Sequence, residues 1–180
     1  FKLVTWAAGL EEHVFDQNAE VNCLGYVTFC GRKYFCMKHF GHGCLLPKQA
    51  LAHSCNVPCF KIACKLRVDR LALYAQRFGL GQKTNFLLPE KTGIVPTNAW
   101  KKATKGERWW TGDTLSVSIG QGYLLVTPLQ IARMVSSICT GYLVKPRMLE
   151  HEEIERRHLE ISHEILVFLR GAMKEVVING

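Results

Sequence analysis

Residues 47–80 read PKQALAHSCNVPCFKIACKLRVDRLALYAQRFGL, and this stretch decides the secondary-structure class. Pro47 has the fixed φ of a first helical turn, which predicts a short helix through His53. A link, Ser54-Cys55, leads into a second helix over Asn56 to Lys65. Asp69 is placed to cap a third, with Leu71, Leu73, Tyr74 and Phe78 as its apolar positions and Gly79 as its left-handed stop. Working outward, Phe1 to Leu10 is apolar with small residues and reads as a buried helix ending at Gly9. Residues 20–37 carry Val21, Tyr26, Val27, Phe29, Tyr34 and Phe35 around Gly31, the pattern of a β-hairpin. Residues 79–112 read mostly as loop. Thr127-Pro128 pairs an N-cap with a first-turn proline and opens a helix to about Ile138. Lys145 to Leu149 suits a short strand. Ser162 caps a last helix with Ile165, Leu166, Leu169, Met173 and Val176 on one face. The class is α+β, mostly helical with a small antiparallel hairpin.

The chain of 180 residues is 48% hydrophobic and 21% charged, which excludes disordered and low-complexity classes. No apolar run approaches the roughly 18–20 residues of a membrane-spanning helix. The chain opens on Phe1 rather than Met, and both ends fall inside structured segments, so a fragment of a longer domain is expected. The net charge of +8 is spread along the chain, and its densest cluster is the short run from Lys101 to Lys105. That pattern is a solvated basic surface, and no nucleic-acid motif accompanies it.

Seven of the eight cysteines fall between Cys23 and Cys64, which points to a local site rather than a disulfide framework. Cys23, Cys36, His42 and Cys55 are separated by 12, 5 and 12 residues. Three thiolates and an imidazole make a closed tetrahedral set that favours zinc in a structural role. Cys23 and Cys36 would lie on the two arms of the hairpin, His42 in the loop after it, and Cys55 at a helix junction. Two other readings stay open: buried thiols acting as small hydrophobes, or a Cys23–Cys36 disulfide in an oxidising compartment. Cys30 and Cys44 compete as ligands, while Cys59, Cys64 and Cys139 read as core residues.

Ser54-Cys55-Asn56, preceded far upstream by Lys2 in an apolar helix, gains meaning from its company. The chain also carries Phe1-Lys2-Leu3-Val4-Thr5, Gly41-His42-Gly43, Phe78-Gly79-Leu80-Gly81, Trp109-Trp110 with Gly112-Asp113, Ser118-Ile119-Gly120-Gln121-Gly122 and Thr127-Pro128-Leu129-Gln130. In this order, over essentially the whole chain, these segments resemble the transpeptidase domain of class B penicillin-binding proteins.

The resemblance implies a penicillin-binding protein and serine β-lactamase type of fold. It implies a peptidoglycan D,D-transpeptidase that works through a serine acyl-enzyme and is a β-lactam target, in cell-wall synthesis and cell-shape elongation. The family uses Ser-x-x-Lys, Ser-x-Asn and Lys-Thr-Gly motifs. Lys2 matches the lysine of the first, and Ser54 and Asn56 match the second. The nucleophilic serine is expected before residue 1 and the third motif after residue 180, so residues 1–180 are expected to be a partial domain, inactive alone. Lys91-Thr92-Gly93 spells the third motif, but it precedes Ser118 and is flanked by Pro89 and Pro96, so it reads as a coincidence in a loop.

On this resemblance Lys2 is the base, Ser54 relays a proton to the leaving group, and Asn56 holds the substrate amide and helps to hold Lys2. Some members of the family look similar in the hairpin region, with Cys, Asp and His ligands for zinc, and the four positions here are Cys23, Cys36, His42 and Cys55. If Ser54-Cys55-Asn56 is extended, Ser54 and Asn56 face the cleft and Cys55 points back to the metal. Expected partners are peptidoglycan stem peptides, β-lactams, a membrane glycosyltransferase and elongation proteins. The expected location is the periplasmic face of the inner membrane, through a single N-terminal anchor outside this chain. A class D-like β-lactamase or β-lactam sensor, and a non-catalytic zinc-stabilised interaction module, are the alternatives.

Overall fold

The computed structural model describes residues 1–179. In chain order the elements are α1 (Lys2–Glu11), β1 (Val21–Cys23), β2 (Tyr26–Phe29), β3 (Arg32–Phe35), β4 (Gly43–Leu45), α2 (Pro47–Ala52), α3 (Asn56–Arg77), α4 (Asn98–Lys105), α5 (Thr111–Ser118), α6 (Pro128–Thr140), β5 (Tyr142–Val144), β6 (Arg156–His158) and α7 (His163–Asn179). The α+β class holds, with three separate two-stranded antiparallel pairs.

α1 is the central helix. Residues Val4 to Leu10 are all buried, and Trp6 packs against Phe168 of α7 at 5.8 Å and edge-on to Phe15 at 5.0 Å. α3 and α5 complete the core with Ile62, Leu71, Phe78 and Leu115, all essentially inaccessible. Burying each such side chain contributes about 1.5–3 kcal/mol before its ordering entropy. Gly9 does not end α1 as its sequence context predicts. It lies inside the helix, and a Cβ there would come within 2.7–2.9 Å of three Ile62 carbons. The glycine is a contact surface for α3, and α1 runs on to Glu11.

The strands differ from a single hairpin over 20–37. β2 and β3 do form one, in register Tyr26↔Phe35 to Phe29↔Arg32, turning at Cys30-Gly31. β1 instead pairs with β4, Val21↔Leu45 to Cys23↔Gly43. Gly25, at φ +89°, and Gly41, at φ +84°, cause the change: a Cβ on Gly25 would strike the His39 carbonyl and one on Gly41 the Cys23 carbonyl. Two backbone segments cross in contact here, in a conformation that side chains rarely adopt. Cys23 therefore ends β1 rather than sitting on a hairpin arm.

The two predicted helices over 56–78 are continuous except for a break at Arg67, at φ 61° and ψ 173°. Asp69 does not cap. Its carboxylate accepts from Asn98 N at 3.0 Å and Asn98 Nδ2 at 2.6 Å, and so fixes the start of α4. α4 lies inside the stretch expected to be loop. Thr97 caps it, accepting from Trp100 N at 3.0 Å, and the single buried residue of this lysine-rich helix is Lys101, paired with Asp113 of α5 at 2.8 Å. α6 follows its prediction, with a reciprocal cap between Thr127 and Gln130. The later strand is β5, ending before Lys145 and pairing with β6. On α7, Ile165, Leu166, Phe168, Leu169 and Ala172 are buried, whereas Val176 is about half exposed. Among the described residues no helix is long and apolar enough to cross a membrane.

Candidate functional site

The site is organised by the turn that joins α2 to α3. His53 ends α2, and Ser54 follows at φ 55°. Ser54 N donates to Leu51 O at 3.1 Å and Cys55 N to Ala50 O at 2.8 Å. This pair of bonds is a Schellman helix stop, in which the left-handed position normally holds glycine. A serine there costs about 1 kcal/mol relative to glycine. The segment Ser54-Cys55-Asn56 is thus a helix stop followed by a helix start, not an extended strand.

The three side chains nonetheless diverge. The Lys2 ammonium, at the first turn of α1, donates to the Ser54 carbonyl and to Ser54 Oγ, the latter at 2.8 Å across 52 residues of chain. Burial lowers the Lys2 pKa from the ordinary lysine value and outweighs the smaller opposing influence of Cys59, Cys36 and Cys55. Both groups face a cavity of about 400 Å3, walled by Phe1, Leu51, Ile119 and, on α7, Ala172, Met173 and Val176. Asn56 donates through Nδ2 to the Phe35 carbonyl at 3.2 Å and makes no hydrogen bond to Lys2. The expectation that Asn56 helps to hold Lys2 is corrected accordingly: β3 positions Asn56, and Ser54 alone of the two binds Lys2.

Cys55 turns the other way. Cys23, Cys36, His42 and Cys55, picked out by spacing, converge with their ligand atoms all within 4.8 Å of one another. Cys23 Sγ lies 3.5 Å and Cys36 Sγ 3.6 Å from His42 Nδ1, and Cys36 Sγ lies 3.9 Å from Cys55 Sγ. Tetrahedral zinc, with bonds of about 2.3 Å to sulfur and 2.0–2.1 Å to nitrogen, sets S···N edges of about 3.55 Å and S···S edges of about 3.75 Å. These three separations lie within about 0.2 Å of those edges. The cysteines are free, so the structure places no disulfide in this cluster.

The cage touches the turn directly. Asn56 N donates to Cys36 Sγ at 3.3 Å. Burial pushes the Cys36 thiol up, but the Asn56 and Lys38 amides and the neighbouring thiols outweigh it and leave its pKa below the ordinary value. Cys55, more deeply buried, is pushed well above it. Cys30 and Cys44, the rival ligands, are exposed, and Cys44 Sγ sits 3.1 Å from Glu20 Oε2. Cys59 is a core residue as expected, while Cys139 is exposed.

Lys91-Thr92-Gly93 lies in irregular chain, where Gln130 Nε2 anchors the Thr92 carbonyl at 2.9 Å. Two supports had no side-chain signal to read: the Phe35 carbonyl and the Ser118 carbonyl, which accepts from buried Thr5 at 2.7 Å and joins α1 to the end of α5.

The family described as the penicillin binding protein transpeptidase domain matches residues 1–180. The peptidoglycan D,D-transpeptidase MrdA of Salmonella typhimurium is 36% identical over 124 residues, 68% of this chain and 20% of that protein. A penicillin-binding protein PBP2 from Helicobacter pylori, solved in complex with MreC, superposes with a TM-score of 0.93 at 30% identity, over 99% of this chain and 34% of that one. A chain from a structure describing coordinated polymerization and crosslinking by a peptidoglycan synthase complex gives 0.90 at 32% identity, over 99% of this chain and 32% of that one. This chain thus spans about a fifth of the curated relative and about a third of the solved ones. With sequence, backbone and local geometry in agreement, the chain belongs to the penicillin-binding protein transpeptidase domain family.

Proposed function

We propose that the protein carrying this chain is a serine-type peptidoglycan D,D-transpeptidase of the penicillin-binding protein 2 kind. The observation that carries the reading is the Lys2 Nζ–Ser54 Oγ hydrogen bond of 2.8 Å facing an open cavity. In this reading the nucleophilic serine stands three residues before Lys2, one helical turn away on the same face. Lys2, desolvated and more readily neutral than a free lysine, takes the serine proton. The serine oxygen attacks the penultimate D-alanine carbonyl, Ser54 passes a proton to the departing D-alanine amine, and an amine of a second stem peptide resolves the ester. Asn56, steadied by Phe35 O, presents the rest of its amide to the substrate.

The cage is the site for one structural zinc, held by Cys23, Cys36, His42 and Cys55. It has no open coordination position and so supplies no Lewis acid chemistry. Its role is to hold Cys55 and the Asn56 amide, and with them the Ser54 turn between the two. The protein works at the periplasmic face of the inner membrane, in cell-shape elongation with an MreC-type partner and a glycosyltransferase. The H. pylori complex and the synthase assembly support those partners by likeness.

The test uses the full-length protein and a fluorescent β-lactam. Wild type is expected to form a stable acyl-enzyme, and Lys2→Ala to slow acylation by about 10²–10⁴-fold. Because burial lowers the Lys2 pKa, the wild-type rate rises with pH through a midpoint below the free-lysine value of about 10.4. Acylation by Lys2→Ala within twofold of wild type would overturn the role of Lys2. Rapid deacylation would instead favour a β-lactamase.

A further inference from the structure

A second cleft, of about 580 Å3, opens between the β2–β3 hairpin tip and the start of α5. Phe29, Arg32, Tyr34, Trp110, Thr111 and Gly112 line it. It is separate from the cavity at Lys2 and Ser54, with which it shares no lining residue.

The cation in its wall is Arg32. Arg108 is not in the lining itself but sits over the exposed ring of the wall residue Trp110, its guanidinium carbon 3.6 Å from the ring centroid. Stacking of this kind fixes the guanidinium plane and leaves its N–H edges free for a carboxylate. Arg32 and Tyr34 alternate onto one face of β3, and Tyr34 turns its hydroxyl over Gly112, where a Cβ would come within 3.0 Å of the oxygen. Among the described residues neither Arg32 nor Arg108 has an ion-pair or hydrogen-bond partner. The acidic residue in the wall is already engaged. Asp113 Oδ2 accepts from Lys101 Nζ at 2.8 Å and from Trp110 N at 3.0 Å, and Glu107 reaches the same lysine at 3.5 Å. Two cations are left over.

Position links this cleft to the active site. β3 runs from Arg32 to Phe35, whose carbonyl holds Asn56. Three strand steps of about 3.3–3.4 Å separate Arg32 from Phe35, so the Arg32 end of the cleft lies about 10 Å along β3 from the residue whose carbonyl holds Asn56. An extended peptide advances at the same rate, so a group about three residues from the amide at Asn56 reaches it. We propose that this cleft is a subsite for a free carboxylate of the peptide substrate, gripped by Arg32 and Arg108. It rests on the transpeptidase reading above and deepens it: the enzyme selects peptides that are acidic at that distance.

The test compares two stem-peptide analogues that differ only in one carboxylate or carboxamide at that position, with the full-length enzyme. Charge-assisted bonds at a partly open site favour the carboxylate by about tenfold or more in kcat/KM. The double variant Arg32→Ala/Arg108→Ala is expected to reduce this preference to within twofold. Each preference is a ratio within one enzyme sample, so partial misfolding cancels. Absence of a wild-type preference, or a preference intact in the double variant, would overturn the subsite. Failure of the wild type to be acylated by β-lactam would instead overturn the transpeptidase reading, which keeps the two distinguishable.

Discussion

The α1–α3–α7 helices and the segment from Val21 to Leu45 are built by different physics. The helices bury Trp6, Ile62, Leu71, Phe168 and Leu169 in the hydrophobic core. The segment has strands of three or four residues and leaves Leu24, Phe35, Met37 and Phe40 largely in solvent. Isolated two-stranded pairs are marginal in water. What this segment buries around its crossing is Cys23, Cys36 and the glycines Gly25 and Gly41, closed by His42 and by Cys55 from the helices. A hydrophobic core holds the helices; the segment packs Val21, Val27, Tyr34 and Leu45 against that core, and the proposed zinc cross-link would hold its crossing. The two regions meet at the turn that carries Ser54.

The largest expected effect breaks the proposed cross-link alone. Structural zinc in small domains supplies folding free energy outright, on the order of 10 kcal/mol or more in peptide systems. Cys36→Ser in the full-length protein is therefore expected to raise hydrogen-exchange rates across residues 21–45 by about 10³-fold or more, while α1 and α3 keep most of their protection. Equal loss of protection in both regions would merge them into one cooperative unit and end the comparison.

The smallest expected effect lies at the junction. Ser54→Gly relieves the left-handed serine and forfeits one hydrogen bond to Lys2, keeping the bond through the Ser54 carbonyl. The relieved strain of about 1 kcal/mol and the lost hydrogen bond of about 0.5–1.5 kcal/mol nearly cancel, so stability measured by denaturant midpoint is expected to change by no more than about 0.5 kcal/mol, while acylation falls. A variant clearly less stable than wild type would mean that the hydroxyl contributes more to the fold than the backbone strain costs.

The contrast also explains what the sequence made legible. Metal-ligand spacing is local chemistry, so the four residues of the cluster could be named from 12, 5 and 12, while the choice against a disulfide, plain buried thiols and the rival ligands Cys30 and Cys44 stayed open until the side chains were seen to converge. The pairing of β1 with β4 was not, because the strand formers of 20–37 have the same alternation in either pairing and only the Gly25–Gly41 crossing selects between them. Gly9 carries the signal of a helix end yet serves a helix contact, since a bare Cα answers both needs. α4 was hidden because its solvent face is lysine and its one buried residue, Lys101, is charged and satisfied by a partner 12 residues on. Ser54 stood out by its motif, but nothing local told that it occupies a glycine position, which the Leu51 and Ala50 carbonyls impose.

The most direct test of the junction is zinc content measured together with β-lactam acylation of the full-length protein as a chelator strips the metal. The account predicts about one zinc per chain, free thiols after chelation, and an acylation rate that falls in step with the metal. A protein without zinc and with two thiols lost to a disulfide would contradict it, as would acylation that persists unchanged after the zinc is gone.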